Sequence, residues 1–210
     1  MSVAVKICGL LDETAVRAAV DAGAAMVGFV FHSGSRHLIT PEIATKLAAL
    51  VPSHIQRVGL FVDADDATLR AILKIVPLDL LQLHGDESPE RVGAIRALTG
   101  KPVMAAIRLA APEHLVPVAA YEKVADRLLF DSRVGNQPSG GTGKSFDWSL
   151  LRGRSFSKPW MLAGGLNAGN IVEAVRMTGA TTIDVSSGVE TGGHKDPAKI
   201  RELIAIAQRL

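Results

Sequence analysis

Cysteine is nearly absent from this 210-residue sequence: Cys8 is the only one. A single thiol cannot close an intrachain disulfide or build a thiolate zinc site, so neither framework is available. Aromatic residues make up 4% of the chain. No run of about eighteen apolar residues is present, which excludes a membrane-spanning helix. The start Met1-Ser2-Val3-Ala4-Val5-Lys6 lacks the basic region and long apolar segment of an export signal. A cytoplasmic protein is expected, in keeping with an unpaired thiol. Basic residues (23) and acidic residues (21) are mixed along the chain without a basic block, so nucleic acid has no evident platform. The six histidines show neither His-x-His nor HExxH spacing, and no metal is expected.

What is present describes a globular protein: 48% hydrophobic and 21% charged residues, enough for one core and one domain over 1–210. Short apolar runs at 3–7, 26–31, 57–62, 80–83, 103–107, 127–130, 160–162 and 182–185 read as strands. Between them lie helical segments at 12–22, 41–50, 64–76, 88–98, 112–121, 146–151, 167–177 and 196–208, the sixth of which looks truncated. Thr40 before Pro41, Asp65-Asp66 and Ser88 before Pro89 are helix starters, and Gly23, Gly100 and Gly179 mark ends. Eight strand–helix repeats predict a parallel sheet covered by helices and closed into a compact (β/α)8 TIM barrel, an α/β fold. The rival is an open flavodoxin-like or Rossmann-like sheet.

A barrel places its active site at the C-terminal ends of the strands, so the residues after each apolar run are the candidates. Cys8-Gly9 follows strand one, and that thiol has four readings: packing, metal ligand, nucleophile or general base. Arg36 in loop two is either a bidentate clamp for a carboxylate or a solvated cation. His84 after strand four is either a catalytic part or a turn histidine. Asp131 ends strand six, where partial burial could raise its pKa and make it a general acid, or where it could simply cap a turn. Gly164-Gly165 after strand seven, and Ser186-Ser187-Gly188 after strand eight, suit phosphate: glycines let backbone N–H groups approach an anion, a following helix presents its positive end, and serine adds donors. Tight turns needing positive φ are the alternative. Asp184 near the end of strand eight could order that loop. The run Gly140-Gly141-Thr142-Gly143-Lys144-Ser145 is no nucleotide-binding loop, because G-x-x-x-x-G-K-[ST] requires glycine where Pro138 stands. A glycine-hinged lid over 133–143 is the better reading.

Taken in order, the strings Lys-Ile-Cys-Gly-Leu at 6–10, Gly-Phe-Val-Phe at 28–31, Gln-Leu-His-Gly-Asp-Glu at 82–87, Phe-Asp at 130–131, Gly-Gly-Thr-Gly-Lys at 140–144, Phe-Asp-Trp at 146–148, Leu-Ala-Gly-Gly-Leu at 162–166 and Asp-Val-Ser-Ser-Gly-Val-Glu at 184–190 span nearly the whole chain. Their combination resembles the phosphoribosylanthranilate isomerase family. The resemblance implies a cofactor-free Amadori rearrangement in tryptophan biosynthesis, with a small phosphosugar as substrate. It also implies Cys8 as general base, its pKa of about 8.5 lowered somewhat, and Asp131 as general acid. Arg36 then holds the anthranilate carboxylate. Gly164, Gly165, Ser187 and Gly188 hold the phosphate, with Gly141 and Thr142 adding donors, and Gln82, His84 and Asp184 are supporting residues. Ser35 and Ala168 stand where the family often has proline, which touches loop rigidity and not chemistry. A monomer is expected, with a dimer left open. Two other readings remain: another phosphosugar barrel enzyme, and a silent barrel that binds a phosphorylated ligand or a partner protein.

Overall fold

The structure, a computed structural model, describes residues 2–131 and 147–210. Eight parallel strands close into a barrel in sequence order. They are β1 (Ala4–Cys8), β2 (Met26–Val30), β3 (Gln56–Phe61), β4 (Leu80–Leu83), β5 (Val103–Arg108), β6 (Arg127–Asp131), β7 (Trp160–Leu162) and β8 (Thr182–Val185), and β1 pairs with both β2 and β8. Every expected strand is present, shifted by no more than one residue at either end. The open-sheet alternative is excluded by the β1–β8 ladder.

The helices around the barrel are α1 (Glu13–Asp21), α2 (Pro41–Ala48), α3 (Asp66–Ile75), α4 (Pro89–Thr99), α5 (Val118–Val124), α6 (Ile171–Thr178) and α7 (Pro197–Ala207). Five of them, α1 to α4 and α7, start at side-chain caps that satisfy free N–H groups in the first turn. Asp12 accepts from Ala15, Thr40 from Ile43, Asp65 from Thr68, Ser88 from Arg91, and Asp196 from Ala198 and Lys199. The expected fifth helix is instead a 3-10 turn at Pro112–Leu115 followed by α5, because Pro117 interrupts the segment and enters the second piece as its cap. At the sixth position the described residues hold one 3-10 turn, Trp148–Leu151, in line with the truncation expected there.

Successive side chains on a strand point to opposite faces, and each barrel strand uses both. Outward residues such as Ile7, Val27, Leu81, Leu128, Phe130 and Ile183 pack with the helices into the main core. Inward residues Met26, Val58, Leu80, Met104, Leu129, Met161 and Ala163 form a second cluster that plugs the barrel. Above this plug the inward positions become polar: Lys6 and Gln82 are fully buried, and Asp131 and Asp184 nearly so. A polar residue two positions after a plug residue, as Gln82 after Leu80 and Asp131 after Leu129, keeps the same inward direction, so the barrel interior grades from apolar floor to reactive mouth.

Lys6 and Asp184 are register partners across the closing ladder, and Lys6 Nζ lies 2.9 Å from Asp184 Oδ1. Burial alone would lower the Lys6 pKa, but the charge and hydrogen bond of Asp184 outweigh it and hold the ammonium above its ordinary range. Removing one partner leaves the other as an uncompensated buried charge. Lys6→Met is therefore expected to destabilise the protein by about 3–5 kcal/mol in urea unfolding, with part of the loss recovered in Lys6→Met/Asp184→Asn. A Lys6→Met protein as stable as the parent would overturn this account of the seam.

Candidate active site

Cys8 ends β1 two residues beyond Lys6 and shares its inward face. Across the ladder its register partner is Gly28. A Cβ placed on Gly28 would stand 3.0 Å from Lys6 Nζ and 3.1 Å from Cys8 Sγ, so the ammonium and the thiol converge on the space that this glycine leaves empty. Contrary to the lowered pKa expected from the sequence, the thiol is pushed up. Burial is the main cause and the nearby Asp184 charge adds to it, while Lys6 and Lys195 pull it down without cancelling the effect. The free-thiol value leaves out enclosure, which arises only when the barrel closes.

On β6, three strands round the ring, Asp131 shares the inward face of Leu129 and is also buried. His84 Nε2 lies 3.0 Å from Asp131 Oδ2, and His84 Nδ1 lies 2.8 Å from Gln82 Nε2. With the Gln82 amide donating to Nδ1, the imidazole proton sits on Nε2 and is donated to Asp131. With the amide turned over, its carbonyl accepts from Nδ1–H, and Nε2 accepts from a protonated Asp131. The relay thus accommodates both states that a proton-donating carboxyl passes through. His84 is held from behind: its N–H bonds to Phe61 O at 2.8 Å, and the buried Glu87 accepts from Asp63 N–H and Gly85 N–H. Gln82 and His84, expected only as supporting residues, form one chain with Asp131.

The loops after β7 and β8 meet. A Cβ on Gly188 would fall 1.8 Å from Leu166 O, so the two turns pack backbone against backbone, and only glycine fits there. Gly164 and Gly165 both have positive φ, and their N–H groups have no acceptor among the described residues. Asn170 ties this turn together by accepting from Asn167 N–H and donating to Gly165 O. Two details differ from expectation. α6 begins at Ile171 and not at 167, because Asn167 to Asn170 form a turn. β8 is followed by a three-residue 3-10 turn, Ser187–Val189, and a hairpin of β9 (Glu190–Thr191) and β10 (His194–Lys195), with α7 only beyond it. The positive end of a following helix therefore does not reach Ser187 directly. Gly141, Thr142 and the 133–143 segment lie outside the described residues.

The hairpin brings residues to the mouth that sequence reasoning had not singled out. Arg36 bonds Glu190, and Glu190 Oε1 also meets His37 Nε2 at 2.9 Å and Lys195 Nζ at 2.6 Å. Glu190 closes the Asp-Val-Ser-Ser-Gly-Val-Glu string at 184–190, but nothing local announces Lys195 or His37. Lys6 carried a readable signal, a lone charge inside an apolar strand. Among the described residues, no group of three or more His, Cys, Asp or Glu is placed to hold a metal ion.

Comparison with known proteins bears on this geometry. Residues 5–205 match the family model for N-(5'-phosphoribosyl)anthranilate (PRA) isomerase. The chain belongs to the PRA isomerase family. A PRA isomerase of Rhodospirillum centenum is 53% identical over 214 residues, covering 100% of both chains. The crystal structure of the PRA isomerase of Thermotoga maritima superimposes with a TM-score of 0.86 at 32% identity, covering 99% of this chain and 100% of that one. A PRA isomerase structure in complex with reduced 1-(o-carboxyphenylamino)-1-deoxyribulose 5-phosphate gives a TM-score of 0.84 at 31% identity, with the same coverage.

Cys8 is the only thiol, so alkylation reports on it alone. Because burial favours the neutral form, the rate of reaction with iodoacetamide is expected to rise with pH with a midpoint above the ordinary thiol value of about 8.5. A midpoint in the neutral range would show that Lys6 outweighs burial.

Proposed function

We propose that this chain, as one catalytic domain over 1–210, isomerises N-(5-phosphoribosyl)anthranilate to 1-(2-carboxyphenylamino)-1-deoxyribulose 5-phosphate, a step of L-tryptophan biosynthesis. The observation that carries the reading is a buried thiol on β1 and a histidine-held carboxyl on β6 entering one barrel mouth. Family membership supports the substrate. The single thiol, which a reducing compartment keeps free, accords with action in the cytoplasm. A monomer is the working unit in this reading.

In this reading the phosphate sits on the Gly164-Gly165 and Ser187-Gly188 turns, where uncommitted N–H groups meet it, and Arg36 takes the anthranilate carboxylate. Asp131 gives its proton to the furanose ring oxygen. The C1–O bond breaks, the oxygen leaves as the sugar hydroxyl, and the anthranilate nitrogen lone pair forms the C1=N bond of a cationic Schiff base. Cys8 in its thiolate form then removes the C2 proton, and the C2–H electron pair becomes the C1=C2 bond of an enolamine while the nitrogen regains its lone pair. Loss of the C2 hydroxyl proton and protonation at C1 give the ketone. The Schiff base carries positive charge beside Cys8, and that charge favours the thiolate at the step where it is needed. Lys6 and Lys195 act in the same direction. His84 holds the Asp131 carboxyl in position and matches its two protonation states by the tautomer change that Gln82 permits.

Another phosphosugar isomerase would share the glycine turns but would have no use for a carboxylate clamp at Arg36. Purified protein is expected to consume phosphoribosylanthranilate, followed by loss of anthranilate fluorescence. Cys8→Ala and Asp131→Ala are each expected to lower kcat by about a hundredfold or more while still binding a reduced product analogue. Full activity in Cys8→Ala would remove the thiol from the mechanism, and no turnover in the parent protein would remove the assignment.

A further inference from the structure

We infer that Glu190 is a positioning residue that presents the Arg36 guanidinium to an aromatic carboxylate at the barrel mouth. This rests on the reading of Arg36 as the carboxylate grip. The Glu190 side chain is 5% exposed and that of Arg36 is 40% exposed, so a buried carboxylate steers a cation that reaches solvent. Burial alone would raise the Glu190 pKa, but Lys195, His37 and Arg36 hold it below its ordinary range, so the group is ionised.

The two oxygens of Glu190 have separate tasks. Oε1 accepts from Lys195 and faces His37 Nε2, and Oε2 accepts from Arg36 Nη2. Lys195 is itself anchored to the end of β8, donating to Ser186 O and Ser186 Oγ at 3.0 Å each, and Ser186 Oγ donates to Cys8 O at 3.1 Å. His37 seats loop two on the end of β1: Gly9 has φ +78, and a Cβ there would stand 2.9 Å from His37 Cγ. Arg36 is therefore tied through Glu190 to the same strand ends that carry Cys8 and the β8 turn.

A guanidinium has two bidentate edges, and Nη2 belongs to both through different hydrogens. The single bond to Glu190 occupies one edge and leaves the other whole. Among the described residues, Arg36 Nε and Nη1 have no acceptor. Holding a long side chain by one edge before substrate arrives reduces the rotamer entropy lost on binding, and it aims the remaining fork. Because the grip lies on the anthranilate side and not at the reacting carbons, its loss should weaken binding more than turnover.

The test compares Glu190→Gln, Arg36→Ala and the double variant with the parent protein. Glu190→Gln is expected to raise KM for phosphoribosylanthranilate about tenfold with kcat changed by less than about threefold, the scale of a lost charge-assisted hydrogen bond. Inhibition by inorganic phosphate, which carries no aromatic carboxylate, should be unchanged. Adding Glu190→Gln to Arg36→Ala should have no further effect on KM, because a positioning residue acts only through its client. An unchanged KM in Glu190→Gln beside a raised KM in Arg36→Ala overturns the inference and leaves the Arg36 reading standing. An unchanged KM in Arg36→Ala overturns both. Weaker inhibition by phosphate in Glu190→Gln would show general disorder of the mouth, which also overturns it. If Glu190→Gln fails to fold because Lys195 is left unpaired, Glu190→Asp, which keeps the negative charge beside Lys195 but is one methylene too short to reach Arg36 as well, is read in the same way.

Discussion

The ion pair of Lys6 and Asp184 lies on the seam where the first and last strands close the barrel. A slip of β1 by one residue in that ladder would turn Lys6 and Cys8 toward the helices and leave Asp184 facing inward without its partner, because side chains alternate across a strand. The pair thus ties barrel closure to the direction in which the thiol points. It also sets the electrostatics of the mouth, since the ammonium lies beside the thiol while the carboxylate keeps its charge compensated. Buried ion pairs contribute little net stability compared with apolar packing, so this one is better understood as specifying a register than as strengthening the fold.

Above the seam, polar groups are arranged in two connected sets. One runs from the Cys8 carbonyl through Ser186, Lys195 and Glu190 to Arg36 and His37. The other runs from Gln82 through His84 to Asp131, backed by Glu87. Buried charges in each are paired or hydrogen-bonded, which is the condition for keeping them in a low-dielectric interior. The first set organises the face that would meet the carboxylate of the substrate, and the second organises the acid. The apolar plug of Met26, Val58, Leu80, Met104, Leu129 and Met161 forms the floor beneath both.

Much of this was legible along the chain. Eight apolar runs and their caps predict the barrel, and position after a strand was enough to mark Cys8, Arg36, His84, Asp131, Asp184 and the glycine turns. Local signals failed where the deciding contact is remote. The hairpin of β9 and β10 has too few residues for a periodic signal, so Glu190 and Lys195 were not marked as partners. The Cys8 pKa was misjudged because enclosure depends on Gly28, Lys6 and Asp184, which come from three different strands. The segment 146–151 reads as short, but the 3-10 form of Trp148–Leu151 within it has no signature in the residues.

The sequence by itself determined the strand and helix order, the residues that stand at the strand ends, and, through the combined motifs, the resemblance to the isomerase family. These depend on period, capping and spacing, which are local properties. Only the tertiary structure decided that Lys6 pairs with Asp184, that His84 holds Asp131, that the turns after β7 and β8 touch, and that Glu190 takes hold of Arg36. Those contacts join residues up to 178 positions apart. Their energies come from burial and from facing charges, which exist only once the barrel has closed.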